Sequence, residues 1–145
     1  MSADAERNRA VVVALTEAVW NQRDLERIPE FYSPSYVVDY RPYAPPREGH
    51  DAIRGMVERA WAAFPDYHEE IRDLIADETR VAVRFTVSGT QSGQWGVLPP
   101  TGKRVEFDEV ALLELENGQV IRQSGVTDNL TALRQLGVLP SPPAD

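Results

Sequence analysis

Two carboxylates on neighbouring strands, Glu109 and Asp128, are the residues of this chain best placed to move a proton. The segment that carries the first reads GTQSGQWGVLPPTGKRVEFDE from Gly89 to Glu109, and the chain then turns at Asn117-Gly118 and returns to Asp128. Asn-Gly between alternating apolar residues is a strong signal for a two-residue hairpin loop. In that register Glu116 pairs with Gln119, Leu113 lies opposite Arg122, Ala111 opposite Ser124, Glu109 opposite Val126 and Phe107 opposite Asp128. Side chains alternate along a strand, so these last eight share one face. The other face takes Asp108, Val110, Leu112 and Glu114 with Ile121, Gln123, Gly125 and Thr127. Glu109 and Asp128 are then diagonal neighbours with Cβ atoms ~7–8 Å apart. In a partly dry pocket, burial and mutual repulsion raise at least one such pKa towards neutrality, which suits general acid/base work. Two plainer roles stay open: both groups at a solvated rim, and Asp128 as the cap of a following helix.

Other residues can complete a pocket. Val83, Phe85, Val87, Gly89 and Gln91 alternate on one face, so Gln91 can reach inward as a neutral hydrogen-bonding group or else brace its own loop. Tyr36, Val38 and Tyr40 alternate on an earlier strand, and Tyr40 can point its hydroxyl inward. Trp20, Trp61, Phe64, Trp95 and Phe107 can wall a flat ligand, with ordinary core packing as the alternative for Trp61 and Phe64. Ser124 offers a hydroxyl on the same face. His50 and His68 stand alone in different elements, so no metal site is expected. No nucleophile elbow, phosphate loop or dinucleotide motif is present. Carboxylates, hydroxyls and amides remain. That toolkit serves proton transfer beside a carbonyl, isomerisation, ring closure or epoxide opening, with no bound cofactor.

The elements that must position these groups follow from periodicity. A helix is predicted over Ala5 to Trp20, with Val12, Leu15 and Val19 on one face. A short helix around Leu25 to Phe31 follows Asp24, then a strand from Tyr36 to Tyr40, and Pro42, Pro45 and Pro46 force a loop. A third helix starts at Gly49-His50-Asp51, with Asp51 as cap, and Pro65 stops it. Four strands follow: His68 to Ile75, Arg80 to Gly89, Arg104 to Leu115 and Gln119 to Asp128. Leu130 to Leu136 forms a closing helical turn. Helices first and an antiparallel meander afterwards make an α+β plan, a bent sheet covered by helices that leaves a cone with an open mouth. One domain over residues 1–138 and a disordered tail over 139–145 are expected.

Composition narrows the function further. The 145 residues include no cysteine, which removes thiol chemistry, and carry a formal net charge of −8. Without a basic footprint, nucleic acid is not an expected partner. No apolar run approaches the ~20 residues of a membrane-spanning helix. The N-terminus lacks the pattern of a signal peptide, so a cytoplasmic location is expected. An apolar outer sheet face with Val110 and Leu112 suggests self-association.

Four segments together resemble the SnoaL-like polyketide cyclases of the nuclear transport factor two-like superfamily. They are FPDYHEEIRDLIADETRVAVRFTVSGTQSG at Phe64 to Gly93, GVLPPTGKRVEF at Gly96 to Phe107, ENGQVI at Glu116 to Ile121 and DNLTALRQLG at Asp128 to Gly137. The resemblance implies a cone-shaped, curved, mixed but mostly antiparallel sheet wrapped by N-terminal helices, a cystatin-like α+β barrel. It also implies a homodimer, a small hydrophobic substrate and cofactor-free acid/base chemistry. In such cyclases a carboxylate late in the last strand moves protons during an intramolecular aldol closure, and Asp128 matches that position. The chain departs from the family at Tyr40 and Gln91, where histidine is frequent, and at Arg122 to Gly125, where Glu-His-Trp-Asp is common. The expected activity is cyclisation or isomerisation of a hydrophobic carbonyl compound such as a polycyclic polyketide. Asp128 and Glu109 would be catalytic, and Tyr40, Trp61, Phe64, Gln91, Trp95, Phe107 and Ser124 would bind substrate. Alternatives are a non-catalytic ligand-binding or dimeric interaction domain of the same fold, and water addition to an epoxide.

Overall fold

The chain begins with a helix because Ser2 caps it: its Oγ accepts a hydrogen bond from the Ala5 N–H at 3.1 Å, satisfying a donor the helix itself leaves free. The structure is a computed structural model that describes residues 2–143. Helix α1 spans Ala3–Leu15 and runs directly into a π-helical segment, Thr16–Asn21. The wider winding buries Thr16, Ala18, Val19 and Trp20 almost consecutively, which a regular α-helix would spread around its circumference. A short helical stretch follows, a 3-10 turn at Leu25–Arg27 and helix α2 at Ile28–Phe31.

The sheet has six strands: β1 Tyr32–Asp39, β2 Arg47–Glu48, β3 His68–Ala76, β4 Arg80–Thr90, β5 Arg104–Glu116 and β6 Gln119–Thr127, in the order β2-β1-β6-β5-β4-β3. Among the described residues only the β1–β6 pair is parallel. Helix α3, His50–Ala63, crosses the concave side, and α4, Asn129–Gln135, closes the chain. The α+β plan of helices over a mostly antiparallel curved sheet is therefore as the sequence implies. Strand β1 starts four residues before the expected one, and β2 is too short for any periodicity to reveal. At the start of α3 the cap position falls on Gly49, whose φ of +82° is open to glycine, while Asp51 sits inside the first turn. The tail expected to be disordered begins tied to α4: Leu139 N–H donates to Leu133 O, and Arg134 donates to Pro140 O. Ala144 and Asp145 of that tail lie outside the described residues.

One irregularity reorganises the predicted pocket. The hairpin starts as expected, with Glu116 opposite Gln119 and Leu115 opposite Val120, but Ile121 is then an extra residue, and Glu114 pairs with Arg122. This β-bulge exchanges the two faces of the rest of β6. Gln123, Gly125 and Thr127 lie opposite Leu113, Ala111 and Glu109, on the concave face. Arg122, Ser124 and Val126 turn outward. The physical reason is charge: in the unbulged register the Arg122 guanidinium would sit against Leu113 in the core, a costly unpaired burial. On the convex side it reaches Asp39 at 3.0 Å.

The core between helices and sheet holds Val12, Val19, Ile53, Val57, Val81 and Val105, all at most 1% exposed. The convex face is open. Val110 and Val126 are paired neighbours there, 49% and 77% exposed, beside half-exposed Leu112. No helix among the described residues is long and apolar enough to cross a membrane.

Candidate active site

The cone encloses a cavity of about 640 Å³, within the range of small-molecule sites. Its wall is mainly apolar: Val12, Leu15 and Trp20 from the first helical segment, Met56 and Ala60 from α3, and Val83, Phe85, Val87, Phe107 and Ala111 from the sheet. Into this wall are set two carboxyl–phenol pairs.

The first pair is Glu109 and Tyr40. The Tyr40 hydroxyl donates to Glu109 Oε2 at 2.5 Å, and Thr127 Oγ1 donates to Oε1 at 3.2 Å. Gln123 Nε2 donates to the Tyr40 oxygen at 2.9 Å, and the buried Tyr36 hydroxyl donates to Gln123 Oε1 at 3.0 Å. The phenol is thus fixed between a donor and a carboxylate, a fully connected polar chain in low-dielectric surroundings. Burial pushes the Glu109 carboxyl above its ordinary range, opposed by the hydrogen bonds from Tyr40 and Thr127. Tyr40 is held protonated by burial and by the neighbouring Glu109 charge.

Gly125 makes room for this arrangement. A Cβ there would lie 2.5 Å from the Val110 carbonyl oxygen and 2.9 Å from the Tyr40 hydroxyl. Gly125→Ala must therefore shift both the β5–β6 ladder and the phenol, an overpacking worth about 1–3 kcal/mol. Thermal denaturation should show the variant unfolding lower by several degrees, and an unchanged midpoint would contradict the close approach.

The second pair is Glu69 and Tyr67. Glu69 is 6% exposed and lines the cavity from β3. The Tyr67 hydroxyl donates a short hydrogen bond to Glu69 Oε2. The Asn21 side chain, at the end of the π-helical segment, clamps the Glu69 backbone, accepting from its N–H at 2.8 Å and donating to its C=O at 2.9 Å. Burial pushes the Glu69 carboxyl up to about 8, with the Glu109 charge adding to it and the Tyr67 hydrogen bond opposing it. It is therefore mainly neutral at pH 7. Glu69 pairs with Val87, and Phe85, two residues along, pairs with Glu109. The two acids thus flank β4 on the same face, with Cα atoms about 12 Å apart from strand spacing and rise alone. On a concave sheet their carboxyl groups converge across the cavity.

Of the residues singled out in the sequence, Trp20, Tyr40, Phe64, Trp95, Phe107 and Glu109 line the cavity. Trp95 stacks on Phe107 at 5.9 Å and meets Phe64 edge-on at 5.2 Å. Its loop is pinned where Gly93 abuts α3: a Cβ at Gly93 would lie 2.0 Å from the Ala62 carbonyl oxygen. Four expected positions are corrected. Asp128 is exposed outside the cone and caps α4, accepting from the Thr131 N–H at 3.1 Å and hydroxyl at 2.6 Å, which holds its carboxyl below the usual range. Ser124 faces outward through the bulge at Ile121. Gln91 is fully buried but braces the proline loop, donating to Pro99 O at 3.1 Å and accepting from the Thr101 hydroxyl at 2.7 Å. Trp61 lies behind the wall, donating to Trp20 O at 2.8 Å under the Arg23 guanidinium. Glu69, Tyr67, Gln123 and Thr127 also line the cavity, and none of them is expected there from the sequence. The signal for Glu69 was present: it is in phase with Ile71 on β3, an acid at an apolar position.

Comparison with known proteins adds the family context. The model of the SnoaL-like polyketide cyclase family matches residues 10–136. A candidate SnoaL-like polyketide cyclase from Jannaschia sp. CCS1 superposes with a TM-score of 0.87 at 22% identity, over 97% of this chain and 98% of that one. AclR, a candidate hydroxylase from Streptomyces galilaeus, gives 0.82 at 31% identity over 96% and 86%. IdmH, a candidate polyketide cyclase from Streptomyces antibioticus, gives 0.78 at 27% over 90% and 98%. Comparison with curated protein sequences returned no match.

Proposed function

The chain belongs to the SnoaL-like polyketide cyclase family, and we propose that it is a cofactor-free acid/base enzyme that cyclises or isomerises a hydrophobic carbonyl compound such as a polycyclic polyketide. The observation that carries this reading is the presence, in one apolar cavity, of two carboxyl groups with different environments. Burial raises both pKa values, but hydrogen bonds from Tyr40 and Thr127 favour the ionised form of Glu109 while Glu69 is lifted to about 8, so one can serve as base and the other as acid. Glu109 in its ionised form removes a proton from carbon beside a carbonyl, and the electron pair moves to the carbonyl oxygen. Neutral Glu69 donates a hydrogen bond to that oxygen where negative charge develops. The enolate carbon then attacks a second carbonyl of the same molecule. Its oxygen takes the proton back from Glu109, so atoms and protons balance without a further reactant. Tyr40, Thr127 and Gln123 hold the Glu109 carboxylate in place.

In this reading Asp128 has no contact with substrate, and the base is Glu109. The same pair supports epoxide hydration as a second reading, since Glu109 can activate water while neutral Glu69 protonates the epoxide oxygen. A homodimer joined through Val110, Leu112 and Val126 on the convex face, working in the cytoplasm, is the setting we infer. The test is protein-catalysed exchange of solvent deuterium into the acidic C–H of polycyclic β-diketones, followed by NMR. Exchange should survive Asp128→Asn and be lost in Glu109→Gln. Exchange that depends on Asp128 and ignores Glu109 would refute the assignment, while hydration of a terpenoid epoxide without any exchange would favour the second reading.

A further inference from the structure

The mouth of the cone carries two arginines whose placement asks for an explanation. Arg47 opens β2 and lies directly opposite Val38 of β1, so it projects on the same face as Val38, which lines the cavity. Arg59 lies on α3 beside Met56 and Ala60, and it too lines the cavity. Its guanidinium folds back along the helix over Gly55, where an added Cβ would meet Arg59 Nη1 at 2.9 Å. The missing side chain four residues earlier is what lets Arg59 lie there.

Among the described residues these are the two cations set in the wall of the apolar cavity. The net charge is −8, and seven other arginines, Arg7, Arg27, Arg41, Arg72, Arg80, Arg84 and Arg122, are in ion pairs. Among the described residues neither Arg47 nor Arg59 has an acidic group within ion-pair distance, although Glu48 and Glu58 are their sequence neighbours. Arg47 and Arg59 instead act on each other: partial burial and then the Arg47 charge lower the Arg59 pKa, with Glu58 opposing. Like charges held together at the rim of a low-dielectric cavity focus a positive potential on its opening. Guanidinium groups match carboxylate and phosphate oxygens in geometry as well as charge.

We propose that Arg47 and Arg59 form an anion clamp at the cavity mouth, and that the ligand is an apolar ring system bearing a carboxylate or phosphate that stays at the rim while the rings enter the cone. This inference rests on the cone being the substrate pocket, as the proposed function requires, but not on the acid/base chemistry within it.

Naphthalene derivatives test it by calorimetry and by quenching of tryptophan fluorescence at low salt. The native protein should bind 2-naphthoate or 2-naphthyl phosphate at least tenfold more tightly than neutral methyl 2-naphthoate, and 0.5 M NaCl should erode that preference. Arg47→Gln/Arg59→Gln should bring the anion-to-ester ratio to within twofold while leaving the ester's affinity unchanged. Both side chains are exposed, so the double variant should fold, and its melting curve checks this. A tighter phosphate assigns a phosphate ester as the natural anion, and a tighter naphthoate assigns a carboxylic acid. Equal affinity for acid and ester in the native protein, or a ratio that survives the double variant, overturns the clamp and leaves the pocket standing. Absence of binding by all three compounds overturns the pocket and the clamp together.

Discussion

Glu109→Gln should lower kcat for carbonyl cyclisation or isomerisation by about 10²–10⁴, the usual contribution of a positioned general base. Glutamine keeps the volume, and its amide oxygen can accept from one of the two hydroxyls, Tyr40 and Thr127, that donate to the carboxylate oxygens of the native residue, while its NH2 can donate to the other. The loss should therefore appear in kcat, with KM changed little. The pH dependence separates this from a packing effect. Activity needs Glu109 ionised, so the rate rises with pH through its raised pKa. It also needs Glu69 protonated, so the rate falls as pH passes about 8. The profile is a bell whose acid limb disappears in Glu109→Gln and whose alkaline limb disappears in Glu69→Gln. The limbs report the coupled pair rather than two independent residues.

The second large effect is on stability. Glu69 is lifted from 4.5 to about 8 by burial, so between those values the folded chain holds a proton that the unfolded chain has released. Stability linked to this group is complete below about pH 4.5, declines as pH rises, and levels off above about 8. At roughly 1.4 kcal/mol per unit, the loss is on the order of a few kcal/mol, or on the order of 10 °C in melting temperature for a chain of this size. Glu69→Gln removes the slope contributed by this site. The variant should be less sensitive to pH than the native protein and more stable than it at pH 8. Parallel melting curves from pH 5 to 9 would contradict a buried neutral Glu69.

Much of this arrangement is legible in the residues, and the illegible part has identifiable causes. Helix positions follow from apolar spacing, and the β4 alternation of Val83, Phe85 and Val87 appears in the cavity as expected. Tyr40 and Glu109 can be placed inside by counting along their strands. The β6 assignments fail because Asn117-Gly118 fixes only the first pairs of the hairpin, and a single extra residue at Ile121 reverses every later side chain. The sequence held a warning, since the unbulged register buries Arg122 without a partner. That same reversal removes Asp128 and Ser124 from the pocket and brings in Gln123 and Thr127. Glu69 escapes notice because charged residues on a strand beginning His68-Glu69-Glu70 look solvent-facing. Its phase with Ile71 is the one signal in the sequence, and the partners that make its burial possible, Asn21 and Tyr67, lie 48 and 2 residues away along the chain.

Two carboxyl groups inside the cone are displaced upward while Asp128 is displaced downward. Carbon-13 NMR of side-chain carboxyl groups, titrated from pH 3 to 10 and assigned with Glu69→Gln, Glu109→Gln and Asp128→Asn, tests it without any substrate. Glu69 should titrate near 8, Glu109 above the ordinary glutamate range and Asp128 below the ordinary aspartate range. Glu69 and Glu109 titrating with the surface glutamates would contradict it.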